Sequence, residues 1–384
     1  MDTTRGTRGG IGARRVVIAP DSFKGSIGAA AAAEALAAGW RSVEPDAVVV
    51  LRPMADGGEG TVAAFAASVP GSRRMPVTVT GPDAAPVEAD WLLLPASADA
   101  PAGTAVVELA STSGIELLGE RRLPWDADTT GFGQAIVAAL DHGVSRLVLG
   151  IGSSASTDGG AGLLRALGAG FSGVDGAPIA PGARGLRDLE RVDLSGLRAV
   201  PPGGAIVLTD VTNPLVGPAG AAAVFGPQKG FDADGVQEAD AALARFARLV
   251  GADPATAGSG AAGGAGFALH AWGAGLVPGA PQVAELIALE AAVAAADVVL
   301  TGEGSFDGQS AAGKVPSFVS AVAREAGVAV ALVAGRIAPD AATAAFAASV
   351  SLTVLAGSPE ASLADPARWL HEAGASLARL LPRG

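Results

Sequence analysis

With 384 residues, 49% of them hydrophobic, the chain is long enough for two domains and apolar enough to bury a core, which excludes a disordered protein. A formal net charge of -12 argues against nucleic acid or an anionic membrane as partner, and a 4% aromatic share without tyrosine removes base-stacking platforms. There is no cysteine, so disulfides and thiolate metal sites are excluded.

The opening MDTTRGTRGGIGARR lacks the apolar segment of a signal peptide and reads as a flexible tail over residues 1–14. Val16 to Pro20 is a short β-branched strand, the turn DSFKG follows, and Ile27 to Ala38 reads as a helix capped by Ser26 and ended by Gly39. The unit repeats: Ala47 to Leu51 is a strand, MADGGEG (Met54 to Gly60) a turn, and Thr61 to Ser68 a helix. Val77 to Thr80 and Val87 to Leu94 alternate like an antiparallel hairpin, Ala105 to Leu109 adds a strand, and Thr129 to Leu140 a helix. Leu147 to Ile151 and Ile206 to Thr209 are further strands, and Leu163 to Leu167 is helical. Near the other end come a helix at Gln282 to Ala296, a strand at Asp297 to Thr301 and the loop GEGSFDGQ. Strands at Val328 to Ala334 and Val350 to Val354 flank a helix near Asp340 to Ala348. No uncharged apolar run reaches membrane-spanning length, and the expected location is the cytoplasm.

Alternation of buried strands with helices implies a parallel sheet covered on both faces, in which ligands bind outside the carboxyl ends of the strands. The middle of the chain reads as an inserted mixed α/β domain over residues 73–281, so the parallel-sheet domain is discontinuous, 15–72 plus 282–384.

Of 26 cationic residues only Lys24, Lys229 and Lys314 are lysine, and each adjoins a glycine. A compact ammonium beside backbone that permits close approach suits phosphate. DSFKG combines Asp21, Ser22 and Lys24 before a helix. MADGGEG sets Asp56 and Glu59 around Gly57 and Gly58, more acid than capping needs. GIGSSASTDGGAG offers Ser153, Ser154 and Thr157 as hydroxyls and Asp158 as base or magnesium ligand. LTDVTNPL places Asp210 and Asn213 straight after a strand, and PQKG brings Lys229. GSGAAG, with Gly260 and Gly263, formally matches a dinucleotide pattern, but no strand precedes it; close backbone approach to substrate or to the other domain fits better. GEGSFDGQSAAGK carries Glu303, Asp307, Gln309 and Lys314. His142, His270 and His371 lie far apart in helical contexts and read as structural or surface residues.

Taken in order, DSFKG, MADGGEG, GSSASTDGGAG, LTDVTNPL, GPQKG, GSGAAGG and GEGSFDGQSAAGK resemble the bacterial glycerate kinase family from about Val16 to Leu380. The resemblance implies a flavodoxin/Rossmann-like domain interrupted by a second α/β domain, and phosphorylation of D-glycerate by ATP with Mg2+, 2-phosphoglycerate being favoured over 3-phosphoglycerate. One departure stands out: the family commonly has arginine after Gly-Glu-Gly, and here Ser305 and Phe306 follow, so another cation must substitute. Phosphoryl transfer then assigns phosphate contact to Lys24, with Lys229 or Lys314 as further candidates, base or metal roles to Asp158, Asp210, Asp56 and Asp307, and positioning to Ser153, Ser154 and Asn213. Asp56 and Asp307 are the metal-ligand candidates. Two domains closing over a cleft would exclude water. A monomer or homodimer is expected, with a small-molecule partner only. The rival readings are a kinase of the galactokinase and homoserine-kinase type, resting on GIGSSAS alone, and a non-enzymatic sugar-acid-binding module.

Overall fold

The computed structural model describes residues 13–307 and 315–381, so the expected tail up to position 12, together with Gln309 and Lys314, lies outside the described residues. Strands follow in chain order as β1 (Arg15–Pro20), β2 (Val48–Leu51), β3 (Arg73–Thr80), β4 (Pro86–Leu94), β5 (Thr104–Glu108), β6 (Arg146–Gly150), β7 (Gly170–Ser172) and β8 (Arg191–Asp193). They continue as β9 (Ala205–Leu208), β10 (Gly275–Val277), β11 (Val298–Phe306), β12 (Ala329–Ile337) and β13 (Ala348–Ser351). The chain divides into two compact units: residues up to Pro53 with those from Ala288 onward, and Met54–Ile287. Residues 54–72 therefore group with the second unit.

In the first unit five parallel strands lie in the order β2-β1-β11-β12-β13. This is the flavodoxin order, and the direction of winding switches between β1 and β11, the place where such sheets bind ligands. Val16, Ile18, Val298, Leu300, Ala331 and Val333 present one apolar face to Leu36 and Trp40 of helix α1 (Ala29–Val43) and to Leu370 and Leu377 of the helix Pro366–Leu380. Gly39, expected to end α1, lies inside it. A Cβ at Gly39 would sit 1.9 Å from the His371 carbonyl oxygen, and one at Gly374 would sit 2.3 Å from that of Leu36, so the two helices touch backbone to backbone. Arg14, expected in the tail, is pinned: it donates to the Leu381 carbonyl at 3.0 Å, pairs with Glu44 at 3.6 Å and stacks on Trp40.

Several local expectations change. Gln282 to Ala296 is two helices, Gly279–Leu286 and Leu289–Ala294, because Ala288 between them adopts φ 53. The strand expected at Val350 to Val354 ends at Ser351 and turns into the helix Leu352–Ala356, and the preceding helix shrinks to a single turn, Thr343–Ala345. β11 runs on through Gly302–Phe306, so the Gly-Glu-Gly segment is strand rather than loop.

In the second unit the sheet order is β3-β4-β5-β6-β9-β10; β3, β4 and β5 pair antiparallel, and β5, β6, β9 and β10 parallel. The expected hairpin is present, with Val79 opposite Val87. Val107, Leu149 and Val207 pack against Phe132, Ile136, Leu163, Phe246 and Phe267. The small β7–β8 ribbon had no signal in the sequence. Among the described residues no helix is long and apolar enough to cross a membrane.

Gly39→Ala tests the helix crossing. Alanine is the better helix former, yet the added methyl has no room, and we expect a net loss of about 1–2 kcal/mol in chemical denaturation. A gain in stability would contradict the packing.

Candidate active site

At the carboxyl edge of the first unit, the β1 loop folds back on β11. The Asp21 N–H donates to the Gly302 carbonyl at 2.8 Å, and the Asp21 carboxylate accepts from the Ser22 N–H at 2.6 Å. Phe23 is buried and closes a tight turn with Ile27, its N–H donating to the Ile27 carbonyl at 2.9 Å. This turn lifts Lys24 to an exposed tip, where it makes no ion pair among the described residues. Helix α1 begins only at Ala29, capped by Gly28, so Lys24 sits on its own turn rather than at the helix N-terminus. Glu303 is buried within β11, and Asp307 follows its end. Ser305 stands in register with Arg336 of β12, and Arg336 is exposed.

In the second unit, Met54–Gly60 runs over the carboxyl ends of β6 and β9. Gly57 has φ 96, and a Cβ on it would lie 2.3 Å from the Leu208 carbonyl oxygen; its own carbonyl accepts from the Gly152 N–H at 2.9 Å. Asp56 accepts from the Gly58 N–H at 3.0 Å through Oδ1, and Asp210 from the Gly279 N–H at 2.9 Å through Oδ1. The other oxygen of each has no partner among the described residues. Gly279 touches both acids, since a Cβ there would lie 2.2 Å from the Asp56 carbonyl oxygen. The protein packed about Asp210 pushes its carboxyl pKa up, and the charge of Asp56 adds to this against the opposing Gly279 N–H. Glu59 is exposed beside them.

Asp158 is placed otherwise than as an open base or metal ligand. It is 0% exposed, and Oδ2 accepts from the Thr129 N–H, the Thr129 hydroxyl and the Gly162 N–H while Oδ1 accepts from Gly160 N–H, all within 3.0 Å. It thereby joins the starts of the helices Thr130–His142 and Ala161–Ala166. Lys229 is buried too, and its ammonium donates to the Ser156 carbonyl. Burial pulls its pKa down to about 8, with Asp158 opposing. Ser153 is exposed at φ 59, and the buried Ser154 hydroxyl lies 3.1 Å from that of Ser156. Asn213 serves its own loop, donating to the Ala219 carbonyl at 2.8 Å and accepting at its carbonyl from the Gly260 N–H at 2.9 Å. Gly260 and Gly263 do permit close approach, but to the unit's own loops: a Cβ on Gly263 would lie 2.0 Å from the Ser156 carbonyl oxygen.

Glu108 was missed in the sequence. At the end of β5 and 5% exposed, it accepts from the Gly60 N–H at 3.2 Å and the Val62 N–H at 2.9 Å, so an acid from another strand caps helix α2 (Thr61–Ser68) and fixes the Asp56 loop. Burial raises its pKa. Its only signal was a charged residue ending an otherwise apolar strand. The histidines lie on separate helices, His142 edge-on to Trp91, and no group of three or more histidines or acids among the described residues could hold a metal.

A parallel sheet in the first unit and a mixed sheet in the second, each with acidic loops at the carboxyl ends of its parallel strands, define an α/β protein of the class that binds small ligands at strand ends. The chain belongs to the glycerate kinase family, whose model matches residues 16–382. It is 42% identical to a glycerate kinase of Halalkalibacterium halodurans over 84% of this chain and 85% of that one. It is also 42% identical to the glycerate 2-kinase of Escherichia coli, over 81% of this chain and 82% of the other. A crystal structure from Salmonella typhimurium LT2, provisionally named glycerate kinase 2, superposes with a TM-score of 0.81 at 39% identity, covering 96% of this chain and 98% of that one.

The buried ammonium makes a prediction about stability. With a folded pKa near 8 against an ordinary 10.5, the unfolded chain binds more protons between those values, so stability rises with pH across that window. The wild type should gain on Lys229→Met there by on the order of 3 kcal/mol, measured by denaturant unfolding at stepped pH. Parallel curves would contradict the burial.

Proposed function

We propose that this chain transfers the γ-phosphoryl group of ATP to D-glycerate, at the 2-hydroxyl in preference to the 3-hydroxyl. The observation that carries this is the Asp56–Asp210 pair at the strand ends, each acid steadied by one backbone N–H and each with one oxygen left open. Asp210 takes the proton of the attacking hydroxyl, a task to which its raised pKa suits it. Lys24 meets phosphate oxygens from its exposed turn, with Arg336 as the cation that substitutes beside Ser305. Ser22, Ser153 and the Gly57–Gly58 backbone orient the substrates, while Asp158 and Asn213 hold the loops in place.

Mg2+ takes one or two carboxylates and completes its shell with phosphate oxygens and water. Asp56 would hold it, with Asp307 retained as the candidate from the first unit. The ion would supply positive charge to offset that developing on the transferred phosphoryl group. A cytoplasmic location and a monomer or homodimer belong to the same reading.

Incubating the protein with D-glycerate, ATP and Mg2+ and following phosphorus NMR should give 2-phosphoglycerate. Absence of any phosphoglycerate from folded protein would overturn the activity, and 3-phosphoglycerate alone the regiochemistry. Lys24→Arg should lose roughly tenfold or more in turnover with unfolding unchanged, because a planar fork replaces a compact point charge.

A further inference from the structure

Lys229 ends the short turn Pro227–Lys229 and is 3% exposed. An ammonium taken out of water is costly unless acceptors surround it. Among the described residues Lys229 bonds to one acceptor, the Ser156 carbonyl, with the negative charge of Asp158 acting on it through space. That carbonyl is closed in by Gly263, and Asp158 two residues on is immobilised by its four bonds. The segment thus fixed carries Ser153 at φ 59, the paired hydroxyls of Ser154 and Ser156, and Thr157, whose buried Oγ1 has no hydrogen-bond partner among the described residues. A left-handed serine and an unpaired buried hydroxyl are conformations a loop holds only when its surroundings over-determine it.

We propose that Lys229 is a positioning residue: through the Ser156 carbonyl, its ammonium sets the shape in which the loop Ser153–Thr157 meets an oxyanion, phosphate or carboxylate, of the substrates. Lys229 itself does not touch the ligand. This rests on the reading that the loop binds substrate. The charged groups about Lys229 are Asp158 and, behind it, Asp128, on which Asp158 and Arg165 both act; Arg122 rests its stem against Gly230 with its guanidinium exposed. Lys229→Met keeps the length of the side chain and removes the charge.

Because the protein has only three lysines, carbon-13 labelling of lysine gives three resolvable side-chain signals, and the one lost in Lys229→Met is Lys229. Its signal should titrate near pH 8. The amide resonances of Ser153–Thr157 should move with the same midpoint in the wild type and be displaced in the variant. In kinetics, Lys229→Met should raise KM for one substrate roughly fivefold or more while kcat stays within about twofold. Titrating ATP and D-glycerate separately tells a phosphate from a carboxylate contact. The wild-type KM should rise about threefold on going from about pH 7 to about pH 9.5, and that of the variant stay flat, since a neutral amine makes the weaker bond. A KM within twofold of wild type, or loop amides indifferent to the Lys229 titration, would overturn the proposal. If the variant does not fold, the coincidence of midpoints in the wild type decides alone. Were the wild type to make no phosphoglycerate, the proposed activity would fall, while the amide shifts would still judge the positioning role.

Discussion

A carboxylate shut away from water must be surrounded by N–H and O–H donors, and two such carboxylates set the geometry of the second unit. Asp158 gathers the starts of two helices, and Glu108 caps α2 from a neighbouring strand. Both are buried, and each holds a glycine-rich loop by its backbone. Loops anchored in this way need no further help from their own acids. Asp56 and Asp210 each commit one oxygen to a local N–H, and the other has no partner among the described residues, as their proposed roles require. The raised pKa of Asp210 follows from the same crowding, since packing and the charge of Asp56 both disfavour its ionised form.

The first unit arrives at its ligand edge by topology. The sheet order places the β1 and β11 ends at the switch point, and the Asp21 N–H bond to Gly302 ties the two together. Lysine, scarce in the chain, is employed in contrasting ways: Lys24 stands exposed, with no ion pair among the described residues, on a turn braced by Phe23, whereas Lys229 is buried under the Ser156 carbonyl. Arginine would not serve in the second place, because its fork demands several acceptors and among the described residues Lys229 bonds to one.

Much of this was legible in the sequence where the signal is local. The strand at Val16 to Pro20, the helix Thr61–Ser68 and the hairpin of β3 and β4 follow from short apolar periods and turn residues. The resemblance supplied family and fold. What escaped depends on partners distant in sequence: Gly39 looked like a helix end because nothing nearby announces the His371 carbonyl, and Leu352 joined a helix although its neighbours read as strand. Asp158 illustrates the same limit at the site. Its glycine-rich setting suits a ligand loop, but only the fold reveals that Thr129, Gly160 and Gly162 already fill both oxygens. Glu108 carried no motif, since its partners lie more than forty residues upstream.

The proposed function divides the acids of the second unit into those that hold loops and those that would react, and paired variants test that division most directly. Asp158→Asn and Asp210→Asn, compared for unfolding free energy and for kcat per folded molecule, should separate. The first should lose about 2–4 kcal/mol of stability while the folded fraction keeps its turnover. The second should keep its stability and lose on the order of a hundredfold or more in kcat. The reverse pattern, a stable but inactive Asp158→Asn beside a fully active Asp210→Asn, would contradict the account.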